Sequence, residues 1–182
     1  AGDHGADAPL LLSTTGKRFR WLFVNLLTAI LASMVISFFD ATIEEIVALA
    51  VLMPIVASMG GNAGTQSLAV AVRALATREL SKSNAMRIIW KETLVGMLNG
   101  LAFAVIMGAV AGYWFANPVL GVVIGAALIV NLIFAGLCGA GIPIFLERIG
   151  SDPAVSSTVF LTTVTDVIGF LAFLGLASLF LV

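Results

Sequence analysis

The sequence predicts an all-α integral membrane protein with five transmembrane helices per chain. Three observations carry that reading. Of 182 residues, 60% are hydrophobic and only 10% are charged, and the mean hydropathy is +1.13. A water-soluble domain carries about 25% charged residues to solvate its surface, so most of this exterior must face lipid. The apolar residues fall into separate runs, each long enough to cross about 30 Å of hydrocarbon at about 1.5 Å per residue. The basic residues cluster between alternate runs, as the topology of a multi-pass protein requires.

Residues 1–20 read as a polar cytoplasmic tail containing Asp3, His4 and Asp7, ahead of a membrane domain over 21–182. The tail lacks a signal peptide's order of positive start, apolar stretch and small-residue cleavage site. The chain therefore reads as a processed product or an excised domain. His4 is the single histidine, and with no second His or Cys beside it, neither a metal site nor a nucleophile–base pair can be built on it. Cys138 is also single, so no disulfide can form within the chain. Among small residues it reads as a packing side chain.

The first span covers 21–39 and ends at Asp40, Glu44 and Glu45. The second covers 46–72, interrupted by Pro54 and by the run Gly60-Gly61-Asn62-Ala63-Gly64. A polar connector carries Arg73, Arg78, Glu79, Lys82, Arg87, Lys91 and Glu92. The third span covers 93–115, and Asn117-Pro118 makes a turn. The fourth covers 119–146, with Gly139, Gly141 and Pro143 expected to loosen its end. After a short charged loop at 147–153, the fifth covers 154–182.

A cytoplasmic amino terminus puts all nine basic residues on one side: Lys17, Arg18 and Arg20, the five in the connector, and Arg148. Asp40, Glu44, Glu45 and the turn at 114–118 fall on the other. This satisfies the positive-inside rule completely, and an odd number of spans places the carboxyl terminus outside. No internal repeat is visible, and five spans do not divide into two halves. A two-fold dimer would supply the missing symmetry. Glycine pairs four apart (60/64, 96/100, 108/112 and 121/125) permit close helix contacts, either within one chain or between two.

One ionisable residue lies deep in an apolar span. Asp166 is about twelve residues into the fifth span, where insertion scales put its cost at about 2.5–3.5 kcal/mol. No Lys, Arg or His occurs within any predicted span, so an intrachain salt bridge at that depth is unavailable. Water or a cation is the natural partner; the alternative is a protonated Asp bonded to a neighbouring helix. Thr158, Thr162 and Gly169 share the helix face of Asp166, with Thr165 adjacent. Threonines in a helix can bond back to the preceding turn, but a polar stripe topped by a carboxylate reads better as the lining of a wet path.

The second feature is the segment from Pro54 to Ser67. Pro54 removes a backbone donor, the glycines permit close approach or unwinding, and Asn62 and Gln66 form an i, i+4 amide pair. Irregular polar backbone at membrane depth is tolerated where it is buried or lines a cavity. The alternative is a tight helix crossing with the amides bonded to a neighbour. The glycines are not a phosphate loop, because no Gly-Lys-Ser/Thr ending follows.

Three stretches, TGKRFRWLFVNLLTA, PIVASMGGNAGTQSLAVAVRALA and SDPAVSSTVFLTTVTDVIGFLAFLGLA, together resemble the membrane domain of the MgtE family of magnesium channels. The resemblance covers residue 15 to the end and includes the number and order of spans. It implies a homodimer in the plasma membrane with the pore on the two-fold axis, lined by the second and fifth spans. The family's pore aspartate corresponds to Asp166, and its Gly-Asn segment to Gly61 and Asn62. The family usually has Gly-Pro where this chain has Thr158-Val159. Its members usually carry a cytoplasmic regulatory region with paired CBS modules ahead of the membrane domain, which these residues do not include.

The expected cargo is hydrated Mg²⁺, with Mn²⁺ or Co²⁺ as further candidates. Two Asp166 carboxylates would hold it through its first-shell waters. Gly61, Asn62, Gln66, Thr158, Thr162 and Thr165 would line the path, and Asp40, Glu44 and Glu45 could concentrate cations at the outer mouth or simply be solvated loop residues. A carrier coupled to H⁺ or Na⁺ is the competing reading. An aspartyl enzyme would need a second carboxylate at the site, and a passive assembly subunit would tolerate loss of Asp166. Nothing points to nucleic acid.

Overall fold

The computed structural model describes residues 4–80 and 83–182. Asp3 of the tail and Lys82 of the basic set lie outside them, as do the side chains of His4 and Asp7. The described residues fold into six helices: α1 (His4–Ser37), α2 (Asp40–Glu45), α3 (Ala48–Ala76), α4 (Ala85–Trp114), α5 (Pro118–Arg148) and α6 (Pro153–Phe180). All but the six-residue α2 are long and apolar enough to cross a membrane, giving five candidate spans. In hydrocarbon every backbone N–H and C=O must be satisfied within the segment, and a helix does this without help from neighbours.

The helices differ from the expected spans mainly at their ends. α1 begins at His4, so the stretch read as a tail continues the first helix. Hydropathy marks only the part of a helix that sits in lipid, and this helix extends beyond it. Asp40, Glu44 and Glu45 lie on a short helix, where the Asp40 carboxylate accepts a hydrogen bond from the Ala41 amide at 2.7 Å. α4 starts eight residues before the expected span, so Arg87, Lys91 and Glu92 are helical rather than part of the connector. The turn at Asn117-Pro118 forms as expected. Asn117 caps α5 by accepting from the Leu120 amide at 3.2 Å, and Pro118 occupies the first turn, where its missing N–H costs nothing. Neither glycine run loosens its helix: α3 is continuous through Gly60–Gly64, and α5 through Gly139, Gly141 and Pro143.

α5 is the central element, buried along most of its length and packed against α3, α4 and α6. α1 packs mainly along α6 and exposes Leu22, Leu26, Leu27 and Met34. The core joins Leu49, Leu52 and Val56 of α3 to Leu120, Ile124, Leu128 and Leu132 of α5 and Phe173 and Leu174 of α6. Lipid tails are as apolar as these side chains, so close van der Waals packing must hold the helices together. Small residues supply it. A Cβ at Gly139 would lie 2.6 Å from the Gly64 carbonyl oxygen, and one at Gly108 3.1 Å from that of Gly121. The glycine pairs found in the sequence serve contacts within this chain.

Candidate functional site

Asp166 lies midway along the 28-residue α6 and is half-buried. Among the described residues its carboxylate has no hydrogen-bond or ion-pair partner. On the same helix Thr158 is exposed and Thr162 half-buried. The Thr162 hydroxyl donates to the carbonyls of Thr158 at 2.9 Å and Val159 at 3.1 Å. This is the local bonding open to any helical threonine, and it leaves the hydroxyl oxygen able to accept from a water. Thr165 departs from expectation. It is completely buried, and its hydroxyl donates back to Leu161 at 3.1 Å and Thr162 at 3.2 Å. One residue along a helix turns the side chain by about 100°, which carries Thr165 into the bundle and away from an open path.

On α3, Ser58, Asn62, Thr65 and Gln66 are exposed and Gly61 is half-buried. Asn62 Nδ2 donates to Ser58 Oγ at 3.2 Å, and Thr65 Oγ1 donates to the Gly61 carbonyl at 2.8 Å. Ser58, Asn62 and Thr65 follow helical spacing, so they form one polar face on the outside of the protomer. Pro54, one turn before Ser58, leaves the Ala50 carbonyl without its helical donor on an exposed stretch. α3 and α6 pack directly against each other, with Gly64 making room for Leu161: a Cβ there would lie 2.9 Å from Leu161 Cδ1. Gln66 does not bond to Asn62. It lines a cavity of about 200 Å³ with Ser67, Glu92 and Asn99, on the side of α3 that faces α4 and α5.

Asn131 is not among the residues that the sequence singles out. It is fully buried on α5, between α3 and α6, and its Nδ2 donates to the Val56 carbonyl at 3.1 Å. Its Oδ1 is buried with no partner. Gly60 and Gly169 make room for the amide; a Cβ on Gly169 would lie 2.7 Å from Asn131 Nδ2. Gly169 is one turn from Asp166, and Gly60 is two residues from Asn62, so one side chain fixes both helices where their polar residues stand. A single Asn within an uncharged span was the available signal, since polar side chains are expensive at that depth.

Asp40, Glu44 and Glu45 are exposed on α2, which packs against α3 and α6. Among the described residues no three His, Cys, Asp or Glu side chains come together as a metal cage. A lone carboxylate cannot surround a bare cation. It can accept hydrogen bonds from an ion's water shell.

Residues 53–176, from α3 to near the end of α6, match the MgtE family of divalent cation transporters. The chain belongs to that family. Three curated relatives support the same conclusion, each named a magnesium transporter, MgtE. The protein from Bacillus subtilis is 35% identical over 91% of this chain and 37% of its own length. The Thermus thermophilus protein is 39% identical over 90% of this chain and 36% of its own, and that of Enterococcus faecalis 38% over 93% and 38%. The chain therefore spans little more than a third of the length of these MgtE relatives. The resemblance read from the sequence is borne out, and the matched stretch contains both polar faces described here.

Proposed function

We propose that this chain is the membrane domain of a Mg²⁺-selective channel, with the ion passing between two copies and held at Asp166. The observation that carries the reading is the Asp166 carboxylate, which stands at mid-helix without a partner among the described residues. The cost of an unpaired charge at that depth is relieved if a cation and its water fill the space beside it.

Mg²⁺ requires octahedral oxygen coordination at about 2.0–2.1 Å and sheds water reluctantly. Two Asp166 side chains related by a two-fold axis would accept hydrogen bonds from the hydrated ion, with Thr158, Thr162, Gly61 and Asn62 completing the outer shell. Such a site binds well enough to select and weakly enough to release. The exposed polar face of α3 gains a function in the same arrangement, because pairing with a second copy removes it from lipid. With the amino terminus in the cytoplasm of a plasma membrane, a divalent ion entering across 100 mV gains about 4.6 kcal/mol, at about 2.3 kcal/mol per charge. No coupling ion is then needed, and Asp40, Glu44 and Glu45 lie at the outer end.

A structure determined in Mg²⁺ tests the reading. It should show the ion on a two-fold axis with the Asp166 oxygens about 4 Å away, beyond direct ligation at about 2.1 Å. Direct ligation, or no ion between the two Asp166 residues, would overturn it.

A further inference from the structure

Among the described acidic residues, one besides Asp166 lies inside the bundle. Glu92 is 6% exposed. It stands seven residues into α4, about 10 Å from the start of the helix at about 1.5 Å per residue. Ser67, its neighbour on α3, stands nine residues before the end of that helix, so the two meet about two to two and a half turns in from the connector.

Ser67 Oγ donates to Glu92 Oε2 at 3.0 Å. Among the described residues Oε1 has no donor, and no basic side chain pairs with the carboxylate. Arg87 and Lys91 precede it on α4 but are exposed. One hydroxyl is weak compensation for a carboxylate inside a membrane protein, where a buried charge needs a counter-charge or several donors. The surroundings hold space in place of a counter-charge. The cavity of about 200 Å³ beside Glu92 is lined on its polar side by Gln66, Ser67 and Asn99. Gly96 and Gly136 form its floor, where α4 and α5 approach so closely that the carbonyl of Glu92 itself abuts Gly136. At about 30 Å³ per water it has room for about six waters.

We propose that Glu92, Ser67, Gln66 and Asn99 form a second cation site, distinct from Asp166, that takes a hydrated divalent ion. The carboxylate supplies the charge, and the hydroxyl and two amide oxygens accept hydrogen bonds from the ion's water. These are hard oxygen acceptors of the kind that suit Mg²⁺. The cavity volume matches an ion that keeps its hydration shell. The site lies between α3, α4 and α5, whereas Asp166 is on α6, so occupancy of one does not require the other. A cation here would clamp α3 to α4, which otherwise touch little.

The test uses the Asp166→Ala chain, which removes the site of the proposed pore, purified in detergent and titrated with MgCl₂ at constant ionic strength. It should retain a saturable Mg²⁺-dependent rise in thermal stability. Adding Glu92→Gln should weaken the apparent affinity at least tenfold. Gln66→Leu with Asn99→Leu, which leaves the carboxylate in place, should weaken it severalfold and serves if the Glu92 variant does not fold. NaCl alone should not reproduce the rise. A response in Asp166→Ala that persists unchanged in both variants, a response matched by Na⁺, or no response at all would overturn the proposal. None of these outcomes depends on whether Asp166 lies in a pore.

Discussion

Asn131 Nδ2 on α5 donates to the Val56 carbonyl on α3 at 3.1 Å, while its Oδ1 is buried without a partner. The bond crosses the bundle one turn before Gly60, and the same amide sits against Gly169, one turn from Asp166. Two helices bearing the polar faces are thus gauged against a single side chain.

That gauge makes a steric prediction. A Cβ on Gly60 would overlap the Asn131 amide, so Gly60→Ala should destabilise the chain by about 1–3 kcal/mol, as overpacking does. Combining it with Asn131→Ala should recover much of the loss, since neighbouring substitutions that share a space are not additive. Thermal unfolding of the four chains in detergent measures this. Simple additivity would show that the amide does not set the spacing.

Topology gives a second prediction. With Cys138 replaced by Ala, single cysteines placed in the 77–84 connector should react with membrane-impermeant reagents from the cytoplasm. Cysteines at Glu44 or Ala116 should react from outside. A connector labelled from outside would overturn the assignment of the basic residues.

The five spans were legible because hydropathy reports what lies in lipid, and the turn at Asn117-Pro118 because a capping residue before a proline has few other uses. The helical extension from His4 to Arg20 was not, because charged and polar residues can continue a helix without any hydropathic mark. Asp166 stood out as a charge in an apolar run. Thr165 was misplaced beside it because adjacent residues on a helix point about 100° apart, and burial depends on where the neighbouring helices lie. Glu92 was assigned to the connector for its charged neighbours Arg87 and Lys91. Its burial is a tertiary fact, set by the close approach of α4 and α5 at Gly96 and Gly136. Asn131 needs Gly60 and Gly169 beside it to have meaning, and those lie on other helices.

Assembly gives a third prediction. One protomer offers a single Asp166 and leaves the Ser58–Asn62–Thr65 face exposed, so the purified chain should be a two-fold dimer. Asn62→Cys, in the Cys138→Ala background, should form a disulfide between protomers under mild oxidation. A monodisperse monomer that conducts Mg²⁺ in liposomes would refute this.

Reversal potential separates a channel from a coupled carrier. In liposomes with a fixed Mg²⁺ gradient, the reversal potential should follow that gradient alone. A shift when only the H⁺ or Na⁺ gradient changes would favour coupling.

The most direct measurement is Mg²⁺ flux into liposomes through Asp166→Ala. The substitution removes the fixed charge at mid-helix together with the cost of holding it there. The dimer should therefore stay folded, with thermal stability in the absence of Mg²⁺ unchanged or raised, while Mg²⁺ flux falls to background. Asp166→Asn should lose the preference for divalent over monovalent ions, because charge drives it. If Asp166→Ala instead conducts Mg²⁺ at the native rate, Asp166 is a packing residue and the path lies elsewhere.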